Sequence, residues 1–164
     1  MKKILLFGLT SLFTLTSCHY DDEEQDIVDN SYITGNYDLV LWKMPISSDI
    51  DGNGKSSHNL IEESDCFTHS AISVNEDFTF TLIHHEVLLK NGNFSCDTET
   101  VAGTWSRTGF VLTAITDVGQ HEYTFTAGEQ PKLTRKIEEA NYPMIEDGNA
   151  FYANGDIYMV YERN

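Results

Sequence analysis

From Ser31 onward, the chain consists of short runs in which apolar and polar residues alternate, separated by clusters of Gly, Asn, Asp and Pro. A period of two places successive side chains on opposite faces of an extended chain, which is typical of a β-strand with one buried face. Stretches with helical periodicity are few, so the pattern predicts an all-β domain. The eight predicted strands cover residues 37–42, 71–74, 78–83, 101–106, 110–115, 122–126, 132–137 and 157–161.

Short turns join these strands in sequence order. Asn75-Glu76-Asp77 and Arg107-Thr108-Gly109 each separate two runs, as expected of antiparallel hairpins. About eight antiparallel strands can close into an up-and-down barrel, which leaves no exposed edge. The strands near Tyr37 and Tyr158 are apolar on both faces and would suit the seam of such a barrel. A two-sheet β-sandwich is the alternative at this stage.

Composition narrows the class of protein. The chain has 164 residues, 40% of them hydrophobic, which is enough for the core of a single domain. Its 26 acidic residues outnumber 10 Lys and Arg, giving a net charge of -16. Nucleic acids and anionic membrane surfaces are bound by dense positive charge, so neither is expected as a direct partner.

The N-terminus has the organisation of an export signal. Lys2 and Lys3 precede the apolar run 4–9, and small residues follow up to Cys18. A basic segment, a short apolar core and small residues predict a signal peptide over residues 1–17. The apolar core is too short to span a bilayer, which takes about 20 apolar residues.

The junction Leu15-Thr16-Ser17-Cys18 resembles the lipobox of bacterial lipoproteins. The resemblance implies that Cys18 becomes the lipidated N-terminus of a protein anchored in the outer membrane. An ordinary signal peptide with an incidental cysteine is the alternative. Residues 18–31 then form an acidic linker, because like charges repel and keep a chain extended. The acidic run 21–26 also resembles the surface-export signal of some Gram-negative lipoproteins, so we expect a domain on the cell surface or facing the periplasm.

A second resemblance covers most of residues 32–164. Gly35-Asn36-Tyr37 is similar to the G-x-W/Y first strand of lipocalins, with Tyr where many lipocalins have Trp. The loop 49–54, Gly103-Thr104-Trp105 and Tyr158-x-Val160-Tyr161 resemble the lipocalin-like domain of bacterial lipoproteins. The resemblance implies an up-and-down β-barrel of uncertain ligand.

Cys66 and Cys96 remain after Cys18 is assigned to the anchor. Two cysteines in an exported domain predict a disulfide bond. A metal site formed with histidine is the alternative, although no C-x-x-C or H-x₃-H spacing supports zinc.

The loop Asp49-x-Asp51-x-Asn53-Gly54 matches the first half of a calcium-binding loop. Lys55 would contribute its backbone carbonyl, but Leu60 occupies the position where a bidentate Glu belongs. The hypothesis is therefore a weak Ca²⁺ site, with no other cofactor expected. A polar loop with Asx turns is the alternative.

Aromatic residues supply the candidate ligand-binding site. A barrel mouth lined by aromatic rings suits an apolar or sugar-like ligand. The candidate ligand-binding residues are Trp42, Trp105, Tyr37, Phe80 and Tyr123.

No catalytic motif is present: there is no G-x-S-x-G elbow and no phosphate-binding loop. His84 and His85 are adjacent in a strand and point to opposite faces, so they cannot chelate one ion together. The sequence thus predicts a monomeric, lipid-anchored, non-enzymatic binding module for a small apolar or sugar-like ligand. The alternative is a structural or accessory surface lipoprotein with a packed barrel, whose loops contact a protein or glycan.

Overall fold

The computed structural model describes residues 29–164, and 68% of them lie in β-strands. The predicted signal peptide, Cys18 and the acidic run 21–26 lie outside the described residues. The strands are β1 (Gly35–Ser48), β2 (Ser57–Asn59), β3 (Ala71–Val74), β4 (Thr79–Lys90), β5 (Asn93–Thr108), β6 (Val111–Thr116), β7 (Gly119–Thr126), β8 (Lys132–Glu146) and β9 (Asn149–Arg163). Between β2 and β3 lie a short helix α1 (Leu60–Glu63) and one 3₁₀ turn (Asp65–Phe67).

The strands form a closed antiparallel barrel. From β3 to β9 each strand pairs with the next, β1 pairs with β3, and β9 returns to pair with β1. The closing pair runs from Tyr37 opposite Arg163 to Lys43 opposite Tyr158, with one irregularity between Leu39 and Leu41. Eight strands therefore make the barrel, and β2 is an additional strand on β1. The predicted barrel and its seam are confirmed, and the sandwich alternative is excluded.

Alternation along each strand fills the barrel interior. In β7, Tyr123 and Phe125 are buried while the threonines between and after them are exposed. In β4, Phe80 and Leu82 are buried on the same face. Phe78, predicted to begin this strand, lies in the preceding turn with a positive φ and is half exposed.

One end of the barrel, where the chain enters at Gly35, is closed by packed side chains. The Tyr37 hydroxyl donates a 2.6 Å hydrogen bond to the carbonyl of Ile33, and burial raises the pKa of Tyr37 to about 12. The ring of Tyr32 packs on Phe125, with centroids 5.4 Å apart. Trp105 donates its indole N–H to the carbonyl of Asn75 at 2.9 Å. We call this the closed end.

Gly103 in β5 marks a close approach of two strands. A Cβ at this position would clash with the backbone carbonyl oxygen of Ile115 and would lie 3.0 Å from the Cα of Thr116. Glycine is therefore required here by contact between β5 and β6, in a motif that resembles a lipocalin-like sequence.

The connection between β1 and β3 covers a gap in the wall. β3 pairs with β1 only over residues 35–38 and with β4 only over residues 80–83. Beyond that point α1 packs against β1, and the 3₁₀ turn packs against β4. Cys66 in this turn forms a disulfide with Cys96 of β5, with the Cα atoms 5.2 Å apart. This separation lies within the range expected for a disulfide, as predicted.

Strands β4, β5, β8 and β9 extend further than the sequence pattern indicated. Asn154-Gly155-Asp156, whose residue types are typical of turns, lies inside β9 and pairs with β8. Opposite this segment, β8 is bulged between Ile137 and Ala140. A bulge leaves unpaired backbone groups, and Asn154 satisfies one by donating its side-chain amide to the carbonyl of Glu139.

Candidate functional site

A cavity of about 210 Å³ lies inside the barrel at the end opposite the closed end. Its apolar wall includes Leu82, Val101, Ile137, Ile157 and Met159, contributed by four strands. The exposed side chain of Val118, in the turn between β6 and β7, lies at its rim. We call this the open end, because the rim residues are in contact with solvent.

Polar residues share the same cavity. Trp42 from β1, His84 from β4, His121 from β7 and Arg135 from β8 all line it. Glu86 and the exposed Glu99 line it as well. A small apolar cavity with a few convergent polar groups is the usual form of a ligand-binding site.

Strand alternation explains how an arginine comes to lie in the interior. Arg135 lies two residues from the buried Leu133 and two from the half-buried Ile137, so all three point to the same face of β8. Its partner across the sheet is Met159 of β9, which is buried. The guanidinium carbon lies 5.8 Å from the centre of the Tyr123 ring.

Several buried polar atoms around the cavity have no hydrogen-bond partner within residues 29–164. They include the indole nitrogen of Trp42, Nδ1 of His84 and both ring nitrogens of His121. The hydroxyl of Tyr123, whose ring packs 6.2 Å from that of Tyr161, is also unpartnered. Buried polar groups without partners are rare and costly, so a concentration of them around one cavity indicates a place where another molecule supplies the partner.

Burial and nearby charge set the protonation of the histidines. Burial, together with the positive charge of Arg135, lowers the pKa of His84 to about 4. The same two causes lower the pKa of His121. Both rings are therefore neutral at pH 7, and each presents one N–H donor and one acceptor. At the rim, burial raises the pKa of Glu86, with added repulsion from Glu99 and Asp97.

The five aromatic residues predicted to bind the ligand lie in different parts of the barrel and do not form one site. Trp42 lines the cavity and contacts His84, with ring centroids 5.1 Å apart. Tyr123 lies next to the cavity, beneath Arg135. Trp105 and Tyr37 belong to the closed end, and Phe80 packs against Tyr123 in the core between the ends.

Arg135 and His121 also belong to the site, although the sequence did not mark them as candidates. The available signal was a charged residue at an inward position of an alternating strand, between Leu133 and Ile137. The two histidines that were predicted to face opposite ways do so: His84 lines the cavity, whereas Nδ1 of His85 lies 3.1 Å from the hydroxyl of Thr98 on the other face.

The loop after β1 gathers three carboxylates. One oxygen each of Asp49, Asp51 and Glu63 lies within 4.8 Å of the other two, and Glu63 is only 2% exposed. Glu63 of α1 thus brings a third carboxylate close to Asp49 and Asp51, although Leu60 holds the twelfth position of the loop.

Backbone amides already use many of these oxygens. Asp49 accepts from the N–H groups of Asn53 and Gly54, at 3.0 and 2.8 Å. Asn53 accepts from the N–H of Lys55 at 2.8 Å and donates its side-chain amide to Asp51 at 2.7 Å. These are the contacts of Asx turns, and the weak Ca²⁺ site at Asp49, Asp51, Asn53 and Lys55 stays a prediction.

Comparison with protein families, with curated proteins and with solved structures found no match to this chain. Among residues 29–164, no helix has the length and apolar composition needed to cross a bilayer.

Proposed function

We propose that this domain is a non-enzymatic binding module that holds one small ligand in the cavity at the open end of its barrel. The main support for this proposal comes from Trp42, His84 and His121, which line the same cavity. Each has a buried polar atom without a hydrogen-bond partner among residues 29–164. A protein whose barrel is only a packed scaffold gains nothing from leaving such atoms without partners, since each costs about 1–3 kcal/mol.

The size of the cavity limits the ligand. An apolar protein cavity of about 150 Å³ is known to accept benzene, so a cavity of about 210 Å³ suits a compact molecule slightly larger than benzene. The wall offers apolar surface from Leu82, Ile157 and Met159 together with hydrogen-bonding groups at fixed positions. A ligand with both an apolar body and a polar group fits this lining.

The position of the cavity is consistent with a lipid anchor at Cys18. In this proposal, the signal peptide over residues 1–17 is removed and Cys18 is lipidated, so that the acidic linker 18–31 tethers the barrel to the outer membrane. The described chain enters the barrel at the closed end, where Ile33 and Tyr37 are buried. The open end then faces away from the tether and toward the medium that would supply the ligand.

Native mass spectrometry of the protein isolated from its own host tests the binding function. We expect a discrete adduct, of the mass of a small molecule, on the wild-type protein. Ala140→Trp fills a position that lines the cavity, and it should abolish the adduct. An adduct of equal occupancy on both proteins would place the ligand elsewhere. No adduct on either would support the alternative of a packed barrel that contacts a protein or glycan through its loops.

Labelling with palmitate tests the anchor separately. We expect the wild-type protein to incorporate the label and to remain in the membrane fraction. Cys18→Ser should leave the protein unlabelled and release it. Continued labelling of the variant would rule out Cys18 as the anchor, without bearing on the cavity.

A further inference from the structure

We infer that the ligand of this cavity is a small monocarboxylate with an apolar body, and that Arg135 binds its carboxylate. The inference rests on the proposed function, because it assumes that the cavity is a ligand-binding site. It goes further by assigning the chemical class of the ligand and the residue that selects it.

Among residues 29–164, Arg135 has no carboxylate partner. Its guanidinium group contacts the face of the Tyr123 ring. The next residue shows the contrast: Lys136 points outward and its Nζ lies 2.7 Å from Glu138 and 2.8 Å from Asp156. In a chain with 26 acidic residues, an inward arginine left without a carboxylate indicates that a bound anion completes the site.

The atoms around Arg135 favour a carboxylate over other acceptors. A guanidinium group presents a planar pair of donors that matches the two oxygens of a carboxylate. The indole nitrogen of Trp42 can only donate, and it is buried without a partner. His121 and the Tyr123 hydroxyl add further buried donors without partners. These groups together offer more donors than one neutral carbonyl could use.

The acidic rim limits the charge of the ligand. Glu86 and Glu99 line the same cavity; burial raises the pKa of Glu86, and repulsion from Glu99 and Asp97 raises it in the same direction. A dianion such as phosphate would be repelled by them more strongly than a monoanion. A ligand with a single carboxylate can pair with Arg135 and place its apolar body against Leu82 and Ile157. Its single negative charge also limits the repulsion from Glu86 and Glu99.

Three probes of the same shape separate the effect of ligand charge from that of ligand shape. At pH 7 benzoate carries one negative charge, benzamide is neutral and benzamidine carries one positive charge. All three are slightly larger than benzene and so match the cavity. Isothermal titration calorimetry on the exported Cys18→Ser protein avoids detergent. We expect benzoate to bind at least about tenfold more tightly than benzamide, as hydrogen bonds to charged groups warrant.

Variants of β8 test the role of Arg135. Arg135→Gln should reduce benzoate affinity at least about tenfold, to the level of benzamide, and leave benzamide affinity nearly unchanged. Lys136→Gln is the matched control, because it makes the same change in net charge on the outward face; benzoate affinity should change less than twofold. Arg135→Lys retains the charge without the planar fork, and should give an intermediate affinity while keeping the fold.

The outcomes distinguish this inference from the proposed function. Benzamide or benzamidine binding as tightly as benzoate would overturn the inference, as would an equal loss in Arg135→Gln and Lys136→Gln. Recovery of a neutral compound from the native protein would overturn the carboxylate assignment and leave the binding function intact. Failure of all three probes to bind also overturns it, and if no native adduct is found the binding function fails too.

Discussion

The imidazole ring of His84 lies 5.1 Å from the indole ring of Trp42, measured between their centroids. The two residues belong to β4 and β1, which β3 separates only near the closed end. On its other side, Trp42 meets Phe67 of the 3₁₀ turn edge to face, with centroids 4.8 Å apart. The connection between β1 and β3 therefore supports one wall of the cavity.

Acidification should destabilise the protein through His84. Burial lowers its pKa from 6.5 to about 4, so as the pH falls below 6.5 the unfolded chain takes up a proton before the folded one does. Stability is greatest above pH 6.5 and declines until about pH 4, by on the order of 2 kcal/mol between pH 7 and pH 5. Urea unfolding at these two pH values should show a smaller loss for His84→Gln than for the wild type.

Other groups near the cavity must be separated from His84. His121 has a lowered pKa and acts in the same direction, whereas the raised pKa of Glu86 acts in the opposite one. His58→Gln changes an exposed histidine outside the cavity and should retain the wild-type loss. If His84→Gln loses as much stability between pH 7 and pH 5 as the wild type does, the prediction is wrong.

Gly103→Ala should destabilise the barrel by at least about 2 kcal/mol, because its Cβ would meet the backbone of Ile115 and Thr116 and cannot be accommodated by a side-chain movement. Gly128→Ala is the control, since a Cβ there would have no heavy atom within 4 Å. Thermal melts of the two variants measure the difference. Equal melting temperatures would show that β5 and β6 can separate at this point.

The disulfide should contribute about 3–4 kcal/mol, as the chain-entropy model gives for a loop of 30 residues. The double variant Cys66→Ser/Cys96→Ser should lose that stability in urea unfolding, and a reducing agent should bring the wild type to the same level. The reducing agent should not affect the double variant. Two titratable thiols in the unreduced exported protein would contradict the bond.

The Asp49 carboxylate is expected to stabilise the loop that follows β1 even without calcium. Asp49→Ala should cost about 1 kcal/mol, because the backbone N–H of Gly54 loses its acceptor and that of Asn53 keeps only Asp51. Calcium sites of this kind bind at about 10⁻⁴–10⁻³ M, so thermal melts should show stabilisation only at millimolar calcium. Asp49→Ala/Asp51→Ala should not respond. An equal response from both proteins would mean charge screening and no site.

Local alternation was sufficient to predict the barrel and its seam. The turn at residues 75–77 follows from short-range pattern, and the closing pair of first and last strands follows from the need to remove sheet edges. The outer halves of β8 and β9 were missed, since Asn141 and Asn154 face each other there and polar residues in that position look like a turn.

The cavity itself could not be predicted from local pattern. Trp42, His84, His121 and Arg135 come from four strands distributed over the chain, and the pairing register of those strands decides that their side chains converge. Trp105 was predicted to bind the ligand because it is aromatic, as Trp42 is. It lies at the closed end because β5 runs in the opposite direction to β1 and Trp105 is near the end of β5.

The two tryptophans give the most direct test of the binding function. Within the described residues 29–164, the indole N–H of Trp42 lies at the cavity without a partner, whereas that of Trp105 donates to the carbonyl of Asn75. ¹⁵N–¹H spectra should be compared for the protein as isolated from its host and after unfolding and refolding with the disulfide intact, which removes any ligand. We predict that the Trp42 indole resonance differs between the two samples and that the Trp105 resonance does not. Identical Trp42 resonances in both samples would contradict a ligand in the cavity.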